Sequence, residues 1–353
     1  MSHVFARDGG WLFSRRVDLA AFGGSALIAW LLVALGAALG MLAHDAPDGL
    51  WIACVVAVDV AHVWSTGFRV YFDAAEVRSR PLLYLGLPAL AYLAGVAVHA
   101  VSAAAFWRVL AYVAVFHFMR QQAGFMALYA RRDPQHTRLD TLVDRAAIHA
   151  SMLFPLVHWH ASLPRRFAWM VPGDFVEGLS RVLVWPAAIT CVGAITAFAL
   201  RQVVRAQRGA FSPGKSVLLA ATAASWVGGI VLFDSDYVFT VTNVLLHGVP
   251  YFVLTYRYAR AARAPSLAGR LARRGAPAFL GACVTLALAE ELWWDRLVWH
   301  ERPYLFGEHG ALSAYALVFV VPLLAVPQAT HYLLDGFVWR VRSENPVLRR
   351  ELE

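Results

Sequence analysis

Residues 19–43 read LAAFGGSALIAWLLVALGAALGMLA, twenty-five residues without a charge, and their reading decides the fold. Wound as an α-helix at about 1.5 Å per residue, the stretch is roughly 37 Å long, enough to cross the ~30 Å hydrocarbon core of a bilayer. Nine further apolar runs follow, at 49–66, 81–103, 104–130, 145–160, 178–200, 214–233, 237–259, 276–297 and 310–339. Of the 353 residues 59% are hydrophobic and 15% charged, against about 25% charged in a soluble domain. The mean hydropathy of +0.55 agrees, so lipid is the solvent for most of the chain and soluble-enzyme classes are excluded.

The expected fold is therefore all-α, a polytopic transmembrane helical bundle of about ten spans. The third and fourth runs nearly adjoin and the fifth is short, which makes nine the other count. A single integral membrane domain is expected over 1–353, with 1–18 and 340–353 as cytoplasmic end segments. Residues 1–18 are too polar, and the run after them too long, for a cleavable signal, so the first span is expected to be retained.

The positive charge tests this parse. Orientation follows Lys/Arg bias in short loops. Alternate connections carry 24 of the 31 basic residues, whereas the opposite side holds Arg108, Arg165, Arg166, Arg181, Arg296 and Arg302. That asymmetry predicts an even number of crossings with both termini inside, in a bacterial cytoplasmic membrane. It also accounts for the net charge of +8 without a nucleic-acid partner, since the arginines are spread over loops rather than gathered on one stripe. Cys54, Cys191 and Cys283 lie within apolar runs, are odd in number and form no CxxC, so they read as packing residues.

Polar residues at depth are costly in lipid and tend to face the bundle interior and to mark function. The second, fourth, eighth and tenth runs all cross from outside to inside, so their positions compare directly in depth. Each brings one histidine to the middle or inner half: His62, His117, His247 and His331. Asp59 shares a face with His62 at a spacing of three, and Asp335 shares one with His331 at a spacing of four. Asn243 stands four before His247 and Tyr251 four after it. His149 also starts from the inner side, whereas His158 and His160 end at the outer surface and stay outside the proposed site.

Facing helices of bundles build metal sites from imidazoles and carboxylates at such spacings. The expectation is a transition-metal centre held by His62, His117, His247 and His331, helped by Asp59 and Asp335. Carboxylates beside imidazoles favour non-haem iron or a di-iron centre over soft copper. The bland alternative is that each histidine bonds a neighbouring helix and the aspartates pair with arginines.

Arg120 needs a partner within its run. Either it anchors the acidic end of an amphipathic substrate, with Gln121 and Gln122 alongside, or it neutralises Asp59. Tyr251, Tyr256, Tyr258, Trp64, Trp339 and Tyr332 crowd the inner end of the same runs, as an interfacial aromatic belt or a substrate entrance. Glu290 and Glu291, near Asp295, His300 and His309, read as a solvated outer helix end, as a second, outward-facing site or as a proton entry route. Candidate catalytic residues are Arg120, Gln121, Tyr251 and Asn243.

The patches DVAHVW around His62, FHFMRQQ around His117, LLHGVPY around His247 and THYLLDG around His331 loosely resemble the bacterial membrane-bound carotene dioxygenases of the Brp/Blh type. More distantly they look like membrane di-iron desaturases and hydroxylases, whose dense HxxxH and HxxHH boxes this chain does not have. The resemblance covers four short patches and implies an iron-dependent oxidative enzyme acting on a lipid.

The leading reading is a membrane oxidoreductase with a hydrophobic substrate entering laterally. The runner-up is a proton-coupled transporter using the same residues as a relay. The third is non-covalent haem ligation by two histidines, since no CxxCH is present.

Overall fold

The computed structural model describes residues 10–261, 266–308, 310–340 and Leu348. Half of 1–18, residues 262–265, His309 and most of the 340–353 tail lie outside the described residues.

Ten long helices are present among the described residues, and each coincides with one of the expected runs. They are α1 (Arg15–Ala38), α2 (Asp48–Arg69), α3 (Pro81–Val101), α4 (Ala103–Arg131), α5 (Arg138–Ala161), α6 (Arg181–Gln207), α7 (Pro213–Leu232), α8 (Asp236–Ala261), α9 (Ala276–Trp299) and α10 (Ala314–Val338). All except α4 and α5 are long and apolar enough to cross a membrane, which makes eight by length and composition. The other two carry more charge: α4 holds Arg108, Arg120 and Arg131, and α5 begins with Arg138, Asp140, Asp144 and Arg145.

Local chemistry sets the helix ends. The Ser14 hydroxyl accepts from Val17 N at 3.2 Å to start α1, and Thr137 with Asp140 forms a reciprocal capping box at α5. Proline occupies the first turn of α3, α7 and α9, where no amide donor is missed. Within α2 the chain is wound in wide π-type turns over Trp51–Val60 and returns to α-helix at Ala61, directly before His62. Such wide turns re-aim the side chains that follow and recur at functional positions.

Packing divides the chain into two compact units. Among the described residues the first takes 48–117, 251–261, 266–308 and 310–340; the second takes 10–47 and 118–250, with Leu348. Helices α4 and α8 change unit midway, after His117 and after Pro250. In the first unit α2 lies against α9, and α10 lies against α3 and α2. Ala61, Cys283 and Ala287 are fully buried, so small residues let α2 and α9 approach closely, and Phe68 meets Phe279 edge-on at 4.5 Å. In the second unit α5 packs along α6 and α7, and α1 packs on α7. The three cysteines are buried and free, as expected.

Candidate metal centre

The first unit gathers three of the expected histidines. His62 comes from the α-helical half of α2, His117 from α4 and His331 from α10, and they are 1%, 2% and 1% exposed. Each offers a ring nitrogen within 4.8 Å of the others. His62 Nε2 and His331 Nε2 face each other at 3.1 Å, and the His117 and His331 rings stand edge-to-face with centroids 4.4 Å apart. Two nitrogens at that separation, each about 2.1 Å from a shared ion, would subtend roughly 95° at it, so both fit one coordination sphere.

Polar groups stand on the far sides of the rings, two carboxylates within ion-pair distance and one hydroxyl within hydrogen-bond distance. Asp59 Oδ1 lies 3.6 Å from His62 Nδ1, Asp335 Oδ2 lies 3.6 Å from His117 Nδ1, and Thr66 Oγ1 lies 2.7 Å from His331 Nδ1. The aspartates stand behind imidazoles, and the group of possible ligands found among the described residues contains histidine only. Carboxylate behind imidazole is the arrangement that orients a metal-binding ring and raises its basicity. Buried imidazoles converging on one point therefore fit a transition metal by donor chemistry.

Tyr251, fully buried, adds its ring edge-on to His62 and His331 at 5.8 Å and 5.0 Å. Its hydroxyl meets Thr66 Oγ1 at 3.3 Å and accepts from Trp339 Nε1 at 3.2 Å. Tyr332 lies over His117 at 5.0 Å. Tyr258 is buried beneath Arg69, whose guanidinium sits 4.4 Å from the ring. The belt reading fails for Tyr251 and Tyr258, because a belt residue faces the headgroups and these two face protein.

Beside this cluster the first unit holds a cavity of about 340 Å³ that ends at Thr66, Thr330 and His331. Val63, Trp64, Phe72, Leu85 and Pro327 line it, and no carboxylate, lysine or arginine does. Its size suits a small organic molecule or one end of a longer one.

Glu290 departs from its expected place at a solvated helix end. It is 6% exposed, and it accepts from Trp64 Nε1 at 2.7 Å, Trp294 Nε1 at 3.2 Å and Gln328 Nε2 at 3.5 Å. The i,i+4 spacing of Glu290 and Trp294 was available in the sequence. The bonds to Trp64 and Gln328 bridge residues 226 and 38 positions apart and left no local signal.

The second unit holds the other expected residues. His247, 1% exposed, stacks on Phe118 with centroids 3.4 Å apart, and its carbonyl accepts from Gln121 Nε2 at 2.7 Å. Gln122 Nε2 reaches Leu246 O at 3.5 Å and its carbonyl oxygen accepts from Thr222. Asn243 Nδ2 donates to Thr242 Oγ1 at 3.1 Å, while its Oδ1 is buried without a hydrogen bond. Arg120 is exposed, whereas the next two residues of α4, Gln121 and Gln122, are buried. His149 and His160 bond carbonyls of their own helix, Arg145 O at 2.8 Å and Leu156 O at 2.7 Å.

No known protein family, curated protein or solved structure matches the chain, so its chemistry rests on the donor geometry.

Proposed function

We propose that the protein is a metal-dependent oxidoreductase of the bacterial cytoplasmic membrane, with both termini cytoplasmic, acting on a lipid-soluble substrate. The observation that carries this reading is the convergence of His62, His117 and His331, all buried, on one point beside an uncharged cavity. His247 is the proposed fourth ligand. It stands one turn before Tyr251 on the continuous helix α8, and Tyr251 borders His62 and His331. Asp59 and Asp335 serve as carboxylate partners of His62 and His117.

Four imidazoles suit iron, copper, zinc or nickel; the adjoining carboxylates favour iron. Bound there, iron would supply electron transfer and oxygen chemistry. The chain itself supplies the rest. Val63, Phe72 and Leu85 receive an apolar substrate end, burial excludes water, and Tyr251 and Thr66 present hydroxyls beside His331. Because no charged residue lines the cavity, the bound end of the substrate is uncharged.

Metal analysis of the purified protein tests this. One transition metal per chain is expected, lost in His117→Ala and His331→Ala. Protein with no iron, copper or zinc, unable to take up any of them, overturns the reading.

One observation favours proton-coupled transport as the second reading. Glu290, buried in α9 and bonded to Trp64 two residues beyond His62, adds a carboxylate near the histidines. Proton flux in vesicles, abolished by Glu290→Gln, would support it.

A further inference from the structure

The second unit has a groove of about 390 Å³ lined by α6 and α7. Ala199 and Ala206 on α6 and Ala220 and Ala223 on α7 are too small to fill the space there. Phe198 and Leu219 are buried as its floor, while Val203 and Phe211 are exposed at its rim, so it opens sideways. Its α6 wall runs from Ile195 to Ala206, about 16 Å of helix. One helical turn with its side chains, about 10 Å wide, fills roughly 420 Å³, so a partner helix does not fit, whereas a single hydrocarbon chain does.

Gln202 interrupts these apolar walls. It is 5% exposed, and its Oε1 accepts from the backbone N–H of Ser212 at 3.2 Å. A backbone N–H only donates, so that bond fixes which way round the amide lies. Its Nε2 is left on the groove wall with two N–H groups that nothing among the described residues accepts. Ser216, the other polar lining residue, already gives its hydroxyl proton to Ser212 O at 3.1 Å. The groove thus presents hydrocarbon and one amide donor, which is complementary to an apolar chain carrying a neutral acceptor oxygen.

Depth identifies that chain. Helix α6 has 27 residues, about 40 Å, which is the thickness of a bilayer with its interfacial zones. Gln202 stands five residues before the end of α6 at Gln207, about 7 Å in from the membrane surface, and Ile195 about 18 Å in. The amide is therefore at the border of headgroups and hydrocarbon, where a glycerolipid carries its ester carbonyls, and the groove runs from there toward the bilayer centre, as an acyl chain does. This holds whichever side of the membrane the α6–α7 turn faces. Resting on the membrane reading and not on the metal, we propose that the groove binds one acyl chain of a membrane phospholipid, with Gln202 Nε2 donating to the ester carbonyl of that chain.

The test is native mass spectrometry of the full chain, delipidated in detergent and titrated with a diester phosphatidylethanolamine or with its dialkyl-ether analogue. The two lipids share chains and headgroup, but the ether has no carbonyl. One diester lipid should be held per chain about 3- to 10-fold more tightly than the diether, the share of one neutral hydrogen bond. Gln202→Leu should bind both lipids alike, at the affinity of the diether. Ala220→Phe, which fills the groove and leaves Gln202 in place, should lose both lipids and covers the case in which Gln202→Leu does not fold. Equal wild-type affinity for diester and diether overturns the inference, as does tight diester binding kept in Ala220→Phe. Hexadecane held more tightly than either phospholipid also overturns it, since the occupant is then a free hydrocarbon. Iron uptake should be the same in wild type and both variants, so failure here leaves the oxidoreductase reading standing, and a protein that takes up no metal leaves this inference standing.

Discussion

Asp335 Oδ2 lies 3.6 Å from His117 Nδ1, four residues beyond His331 on α10, so one helix both contributes an imidazole and backs its neighbour's. Asp59 stands at the same 3.6 Å behind His62. Carboxylates in this place tune ligands and do not replace them. Asp335→Asn and Asp59→Asn should therefore weaken Fe(II) binding about tenfold or more in chelator competition while saturating at the wild-type stoichiometry. His331→Ala should lower the stoichiometry itself. Should Asp335→Asn fail to load at any Fe(II) concentration, the carboxylate is a ligand and the arrangement proposed here is wrong.

Glu290 joins three helices of the first unit, because its carboxylate takes N–H donors from Trp64 on α2, Trp294 on its own α9 and Gln328 on α10. Truncation removes the acceptor of all three, of which the Trp294 N–H is buried and the other two are half-buried, and a stranded buried donor costs about 1–3 kcal/mol. Glu290→Ala should cost roughly 1–3 kcal/mol, and Glu290→Gln, which keeps an acceptor oxygen, less. Thermal unfolding in detergent, followed by tryptophan fluorescence, should rank wild type above Gln and Gln above Ala. Equal midpoints for wild type and Ala would show that the carboxylate holds nothing.

Much of this was legible from the sequence, for a physical reason. Lipid leaves backbone groups no partner but their own helix, so run length and charge alone located all ten helices. The grouping of His62, His117 and His331 followed from comparing positions along the same parse, and the three do come together in the first unit. What periodicity could not fix was azimuth. Arg120 and Gln121 are neighbours on α4, about 100° apart around it, and only the packing shows that the guanidinium is exposed and the amide buried. Nor could spacing tell whether Asp59 joins the histidine donors or stands behind the His62 ring, because i,i+3 fixes a shared face and not an order along it. The wide turns of 51–60 add to this, as they alter the angle at which α2 presents Asp59 and His62.

Outside the apolar runs, the first turn of α5 carries an ionic network that sets a pH limit. Asp140 accepts from Arg201 Nε at 2.7 Å and from Arg205 Nη1 at 2.9 Å. Burial alone would raise its pKa, but the hydrogen bonds from Arg201 and Thr137 and the charge of Arg205 outweigh it and hold the carboxyl well below the ordinary range. A carboxyl depressed in the folded state stabilises it fully above its unfolded pKa of about 3.9, and that contribution fades as pH falls below this value. Wild-type unfolding temperature should thus decline on acidification through about pH 4, with that share of the decline missing in Asp140→Asn. Parallel pH curves for the two proteins would exclude Asp140 as the group responsible.

Lys215 is the one lysine among 353 residues, and it is wholly buried at the start of α7. Its ammonium meets Asp144 Oδ2 at 2.8 Å and Asp133 Oδ2 at 3.7 Å, and donates to His136 Nδ1 at 3.1 Å. Because Arg205 also serves Asp133, Asp144 is the carboxylate most dependent on the lysine. Lys215→Met should strand that charge and cost about 3–5 kcal/mol, whereas pairing it with Asp144→Leu should recover most of the loss, since the desolvation of both ions disappears together. The double-mutant cycle, read from unfolding midpoints in detergent, decides the matter. Additive losses from the two substitutions would mean that the lysine and the aspartate act independently, and that the pair adds nothing to what Arg201 and Arg205 give the network.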